Sequence, residues 1–104
     1  MGREGEGMLK EPLHGGQLRS LTRKIIDEGE VEFSSHALAE MSKDGLSEMD
    51  IVSVLRAGTT EPGELERGTW RYRISTERIC VVVAFRSEHW LVVVTAWRQG
   101  EQKR

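Results

Sequence analysis

The sequence is poor in several features, and each shortage removes a class of protein. One cysteine, Cys80, among 104 residues rules out an internal disulfide framework and any zinc site built from several thiolates. The longest apolar run, residues 79–85, falls far short of the ~20 residues a helix needs to span a bilayer. No positively charged start leads into an apolar stretch, so no secretory signal is expected and residence in the cytoplasm is the expectation. Phosphate-cradling glycine loops, nucleophile elbows and metal-site spacings of His, Asp and Glu are missing. There are no internal repeats, and the length is that of one domain. No cofactor is called for.

Hydrophobic residues make up 38% of the chain and charged ones 31%, which is enough for a modest core. The net charge of -2 conceals a split. Residues 1–66 carry 7 Lys/Arg against 14 Asp/Glu, a net of -7, and residues 67–104 carry 8 against 3, a net of +5. Such asymmetry can mark a nucleic-acid surface on one part of the fold, but charge alone favours an ordinary solvated surface.

Residues 1–16 are rich in Gly and Glu, contain Pro12 and show no periodicity. They read as a flexible N-terminal segment with an exposed, idle His14, and Met8 is an alternative start. From Gln17 the pattern is helical: Leu18, Leu21, Ile25 and Ile26 share one face, and Gly29 ends the run. Val31 and Phe33 alternate with polar neighbours, as in a short edge strand or an extended link. Ser34 or Ser35 then caps a second helix over residues 36–43, with Ala37, Leu38 and Met41 inward and Gly45 at its end. Ser47 and Asp50 have capping-box spacing, and Leu46 and Ile51 have that of a hydrophobic staple. They open a third helix that presents Ile51, Val54 and Leu55 and stops at Gly58. Residues 59–68, with Pro62, Gly63 and several acids, read as a surface loop.

After Gly68 the period falls to two. Strands are expected over residues 69–74, 79–85 and 90–97, joined by turns too short for parallel crossovers. The expected fold is α+β: two or three N-terminal helices packed on one face of a C-terminal three- to four-stranded antiparallel sheet. This single domain covers residues 17–99, and a charged tail follows at 100–104.

If both hairpins close symmetrically, residue 73 lies opposite 80, and 80 opposite 95. Side chains directly opposite point the same way. One face then carries Trp70, Tyr72, Ile74, Ile79, Val81, Val83, Phe85, Trp90, Val92 and Val94, to be covered by the helices. The other carries Thr69, Arg71, Arg73, Cys80, Val82, Val93, Thr95 and Trp97. A bulge would break this assignment. Two arginines, a hydroxyl and an indole can hold phosphates and stack a base. The same arginines can also do no more than keep an outer strand soluble. Cys80 reads as a packing residue. His36, in the first turn of the second helix, suits proton transfer near neutrality, and a helix N-terminus favours its neutral form. It can equally be a surface histidine with no function. His89 falls in a turn, exposed to water.

The run Phe33-Ser34-Ser35-His36-Ala37, continuing to Met41 and through Gly45-Leu46-Ser47 to Asp50-Ile51 and Val54-Leu55, resembles the helical half of a family of small prokaryotic proteins, domain of unknown function 4258. Gly68-Thr69-Trp70-Arg71-Tyr72-Arg73 and Val94-Thr95-Ala96-Trp97-Arg98 resemble its sheet half. The resemblance covers roughly residues 18–98. More distantly, the helices-then-sheet order is similar to MqsR-type and RelE-type toxins of toxin–antitoxin systems, and the Gly29-Glu30-Val31 and Gly45-Leu46-Ser47 junctions are similar to the MqsR group in particular. That similarity implies a RelE/barnase-like layout, RNA as substrate and a cognate antitoxin protein as partner. It also implies a metal-independent endoribonuclease. The chain departs from those toxins in one respect: they use strand lysines, whereas this sheet offers arginines, and its only lysine after Lys43 is Lys103. Arginine is too basic to remove a proton at neutral pH.

On this resemblance His36 is expected to take the proton of an RNA 2′-hydroxyl. Arg71 and Arg73 stabilise the developing charge, and Thr95 positions a phosphate or hydroxyl. Tyr72 is a further candidate, although its register points it toward the helices. Lys43, Trp97 and Arg98 are expected RNA contacts, Arg98 only if the last strand twists at its end. Two alternatives stand beside this expectation. One is a non-catalytic module that binds nucleic acid or protein. The other is an immunity or accessory interaction protein whose acidic stretch, residues 61–66, meets a basic partner.

Overall fold

A computed structural model of the chain describes residues 9–100. The elements run α1 (Gly15–Glu28), β1 (Glu30–Phe33), α2 (Ser35–Asp44), α3 (Glu48–Ala57), β2 (Thr59–Thr60), β3 (Glu64–Glu66), β4 (Thr69–Ser75), β5 (Ile79–Ser87) and β6 (Trp90–Arg98). The architecture is α+β, with three helices ahead of most of the sheet. No helix among the described residues is long and apolar enough to cross a membrane.

Local chemistry sets the helix ends. Ser34 caps α2: its hydroxyl accepts from the Ala37 amide at 2.9 Å, and Gly45 closes the helix in the left-handed region at φ 67°. At α3 the expected box is complete. The Asp50 amide donates to Ser47 Oγ at 3.1 Å, and the Ser47 amide donates to Asp50 Oδ2 at 2.8 Å. The Ser47 amide first, and the Ser47 hydroxyl second, hold the Asp50 carboxyl below its usual range, with a smaller push from Arg98.

The sheet is larger than the expected meander of three to four strands. It has six strands in the order β1-β6-β5-β4-β2, with β3 also paired to β4. β1 joins the edge parallel to β6, and the other pairs are antiparallel. Residues 59–68 were expected to be a loop. They instead supply β2 and β3, which share the outer edge of β4, and a two-residue turn at Arg67-Gly68. Both turn residues have positive φ, 52° and 82°, the geometry that suits the twist of a tight hairpin. Strands this short and polar carry no hydrophobic period.

Part of the segment expected to be flexible is docked. Leu13 is buried, its amide donates to Tyr72 Oη at 3.0 Å, and α1 begins at Gly15. His14 is exposed, as expected, at the N-terminus of α1. Residues 1–8, including Met8, and the tail 101–104 lie outside the described residues.

α2 lies over β6, and α3 lies over β4 and β5 and against α1. The core between these layers joins Leu18, Ile25, Met41, Ile51 and Leu55 to Tyr72, Ile74, Val81, Val83, Leu91 and Val93.

The register differs from the symmetric expectation by two residues at each hairpin: Arg73 pairs with Val82 and Cys80 with Trp97. A shift of two preserves which side chains share a face, so β4 and the start of β5 point as expected. β6 does not do so throughout. Val82 pairs with Thr95, but Val83 pairs with Val93, which leaves Val94 as an extra residue in a bulge. From Val93 back to Trp90 the faces are exchanged. Val93, expected on the open face, is fully buried, whereas Trp90 and Val92 leave the core side and Trp90 is exposed.

Candidate functional site

The face of the sheet away from the helices is open. On β4, alternation sends Thr69, Arg71 and Arg73 to it. Val82 lies opposite both Arg73 and Thr95, and Trp97 lies opposite Cys80. At this end Arg71, Arg73, Val82, Thr95 and Trp97 form the floor of a cleft of ≈ 250 Å³ whose wall is Glu61, Pro62, Glu64 and Glu66. The Arg73 guanidinium carbon sits 5.8 Å from the centre of the Trp97 ring, within cation–π range. Arg71 Nη1 pairs with Glu66 Oε1 at 3.0 Å, but its Nε is shut off from solvent with no hydrogen-bond partner among the described residues.

The wall is held by backbone. The Glu61 amide donates to the Arg73 carbonyl at 3.1 Å. A Cβ at Gly63 would fall 2.6 Å from Tyr72 Cε2, so only glycine lets the loop lie this close to the ring. Glu61 and Arg73 both act on Cys80. Burial raises the thiol's pKa, Arg73 lowers it and Glu61 raises it. Glu61 and Arg73 line the same cleft as Trp97.

A second cleft of ≈ 300 Å³ continues along the same face, lined by Ser34, Thr69, Arg71, Ala84, Arg86 and Val92 among others. Arg71 lines both clefts. The far end repeats the first motif: the Arg86 guanidinium carbon is 5.7 Å from the centre of the Trp90 ring, and Trp90 Nε1 donates to Glu32 Oε1 at 2.9 Å. Among the described residues, no three His, Cys, Asp or Glu side chains are grouped as metal ligands would be.

Of the residues singled out from sequence, Arg71, Arg73, Thr95 and Trp97 come together in one cleft. His36 is exposed on the first turn of α2 and lines neither cleft. Tyr72 is fully buried on the helix side, where its hydroxyl donates to Glu11 Oε2 at 2.8 Å and accepts from Leu13. Lys43 pairs with Glu40 at 3.2 Å. Arg98 stands on the helix side: its Nε donates to the Asp44 carbonyl at 2.8 Å and its amide to Asp44 Oδ2 at 2.9 Å, tying it to the end of α2. Sequence reasoning missed Glu61, Glu64 and Glu66 as part of this site, and Arg86 and Trp90 as well. The acidic composition of residues 61–66 was the available signal for the wall, while the bulge hid Trp90.

A family model described as "Domain of unknown function (DUF4258)" matches residues 33–98, and the chain belongs to that family. No curated protein and no solved structure matches it.

Proposed function

We propose that this protein is a metal-independent endoribonuclease of the toxin kind, acting in the cytoplasm and restrained by a small antitoxin protein. The observation that carries the reading is the convergence of Glu61, Arg71, Arg73, Thr95 and Trp97 on one open cleft. RNA cleavage without a metal needs a base for the 2′-hydroxyl, cations for the phosphoryl oxygens and a surface that orients the base. A carboxylate, two guanidinium groups and an indole are suited to these tasks. Helices on one face and an open, mostly antiparallel sheet on the other also agree with the RelE-like layout that the sequence resemblance implies.

In the proposed step, Glu61 takes the proton of the 2′-hydroxyl and the oxygen attacks the adjacent phosphorus. The bond to the 5′-oxygen breaks, a solvent proton neutralises the leaving oxygen, and a 2′,3′-cyclic phosphate remains. Arg71 and Arg73 stabilise the charge that gathers on the phosphoryl oxygens, as pre-placed donors do. The proton acceptor is assigned to Glu61 rather than His36 because the carboxylate lines the cleft and the imidazole does not.

The test is regulated expression of wild type, Glu61→Gln, Arg73→Ala and His36→Ala, with total RNA examined after induction. Wild type should arrest growth and fragment RNA. Glu61→Gln and Arg73→Ala should each cut at least about 100-fold more slowly, the usual scale for losing a general base or a charge-stabilising donor. His36→Ala should cut normally. Well-expressed wild type that leaves growth and RNA unchanged would sink the proposal, and loss of cutting only in His36→Ala would move the base back to α2.

A further inference from the structure

We infer that the open face is a track for single-stranded RNA of about four nucleotides, running from Trp97 to Trp90. This rests on the ribonuclease reading above and adds to it the form and length of the substrate. The two clefts share Arg71, and an arginine–tryptophan pair marks each end of the face: Arg73 with Trp97 in the first cleft, and Arg86 of the second cleft with Trp90 beside it. Seven residues of strand separate the indoles, about 20 Å at ~3.3 Å per residue once the bulge has shortened the path. An extended strand of about four nucleotides covers that distance, the low end of site sizes for proteins that combine a basic groove with aromatic stacking.

Charge sets the path and the strandedness. The arginines stand on the central strands: Arg71 and Arg73 on β4, and Arg86 on β5. The acids stand at both borders, Glu61, Glu64 and Glu66 beside β4 and Glu32 on β1. One phosphate backbone can follow the arginines between these borders. A duplex laid over five strands spaced ~4.8 Å apart would bring its second backbone onto a border of carboxylates. Arg71, in the middle, lines both clefts and holds Glu66 through Nη1, so its guanidinium is the group placed to meet a phosphate between the two stacked ends.

The probes are labelled 2′-O-methyl oligonucleotides, which cannot be cut, tested by anisotropy on the full chain. They comprise single strands of two, four and eight nucleotides and a hairpin duplex. Affinity should rise at least about 10-fold from two to four nucleotides, then change less than about 3-fold to eight. The duplex should bind at least about 10-fold more weakly. Trp90→Ala should weaken the four-nucleotide strand about 10-fold, within the range for one lost stacking contact, and leave the two-nucleotide strand unchanged. Trp90→Phe should restore it. Arg86→Ala should make the salt slope for the four-nucleotide strand shallower by about 0.7, the share of one phosphate contact on a single strand.

Equal binding of duplex and single strand overturns the track, as does equal affinity for two and four nucleotides. So does a Trp90→Ala variant that binds every length like wild type; cutting that persists in that variant would leave the ribonuclease reading standing. Failure of the ribonuclease reading looks different. If lengths and variants behave as described but natural RNA is never cut, the track survives as a binding site. If no oligonucleotide binds and none is cut, both are wrong.

Discussion

Trp90 and Trp97 stand on the same face of β6 although seven residues separate them, an odd spacing that in a regular strand would put them on opposite faces. The cause is the bulge at Val94, which inserts one residue between the Val82–Thr95 and Val83–Val93 pairs. Ser34 fixes it from the side: its amide donates to the Val93 carbonyl at 3.1 Å, and its hydroxyl donates to the Val94 carbonyl at 3.0 Å. One serine therefore caps α2 and secures the irregularity that equips both ends of the open face.

Deleting Val94 should be tolerated, because it removes the bulge and not the register. Val93 then directly precedes Thr95 and still lies opposite Val83, so Leu91 and Val93, both fully buried, stay in the core. The variant should lose only about 1 kcal/mol, the scale of the Ser34 hydroxyl bond to the Val94 carbonyl. Val94→Ala, which keeps the bulge, should cost less than about 1.5 kcal/mol. Urea unfolding of the two variants checks this. A deletion that costs about 3–6 kcal/mol, the burial of two such side chains at about 1.5–3 kcal/mol each, would mean that the near half of β6 had turned over and that the bulge does not set its faces.

Tyr72 gives the N-terminal segment its anchor and makes stability depend on alkaline pH. Its hydroxyl accepts from Leu13 and donates to Glu11, and burial is the main reason its pKa is pushed up from 10.0 to about 12. The neutral phenol is the form the fold holds. Between pH 10 and 12 the unfolded chain loses this proton while the folded chain keeps it, so stability falls as pH rises through that window. Tyr72→Phe should lose about 1–3 kcal/mol at pH 7, the range for leaving a buried partner unsatisfied. The same variant should show a flatter stability profile from pH 10 to 12. Thermal unfolding across that range checks the sign, and an unchanged slope in the variant would assign the alkaline loss to other groups.

The parts of the fold that were legible in the sequence had a strong local signal or a preserved parity. Ser47 and Asp50 marked α3, and the Ser34-Ser35 pair and Gly45 bracketed α2. The apolar alternation of β4 and early β5 sent Arg71, Arg73 and Cys80 to the right face even though the hairpin register was off by two. What escaped was non-local or polar. Val94 is one valine in a run of three, Val92-Val93-Val94, and nothing in that run says which residue is unpaired. Glu64–Glu66 is too short and exposed to show a strand's alternation against a core. The docking of Leu13 depends on a tyrosine hydroxyl 59 residues away, which no local pattern reveals.

Arg98 should prove structural rather than RNA-binding. Its guanidinium and amide meet Asp44 at the C-terminal end of α2, where a cation is favoured by the unpaired carbonyls. Arg98→Ala should lower stability by about 1 kcal/mol and leave oligonucleotide affinity unchanged, the reverse of the pattern for Arg86→Ala. A loss of RNA affinity in Arg98→Ala, measured at a temperature where the variant is fully folded, would place this side chain on the substrate path after all.

Cys80 offers a chemical readout of the Trp97 end of the cleft. The residue is 2% exposed, and burial raises its thiol pKa, so at pH 8 both access and thiolate fraction are low. Its direct cross-strand neighbour on the open face is Trp97, and an indole beside a thiol can shield it from reagent. A small alkylating reagent should therefore react with the native chain at least about 100-fold more slowly than with the chain in denaturant. Trp97→Ala should remove most of that protection by opening the cover, whereas Trp90→Ala, at the other end of the same strand, should leave it intact. Alkylation rates followed by mass spectrometry separate the cases. Equal slow rates in both variants would show that the thiol is guarded by the packing of β5 itself, and equal fast rates would show that either loss loosens the whole sheet.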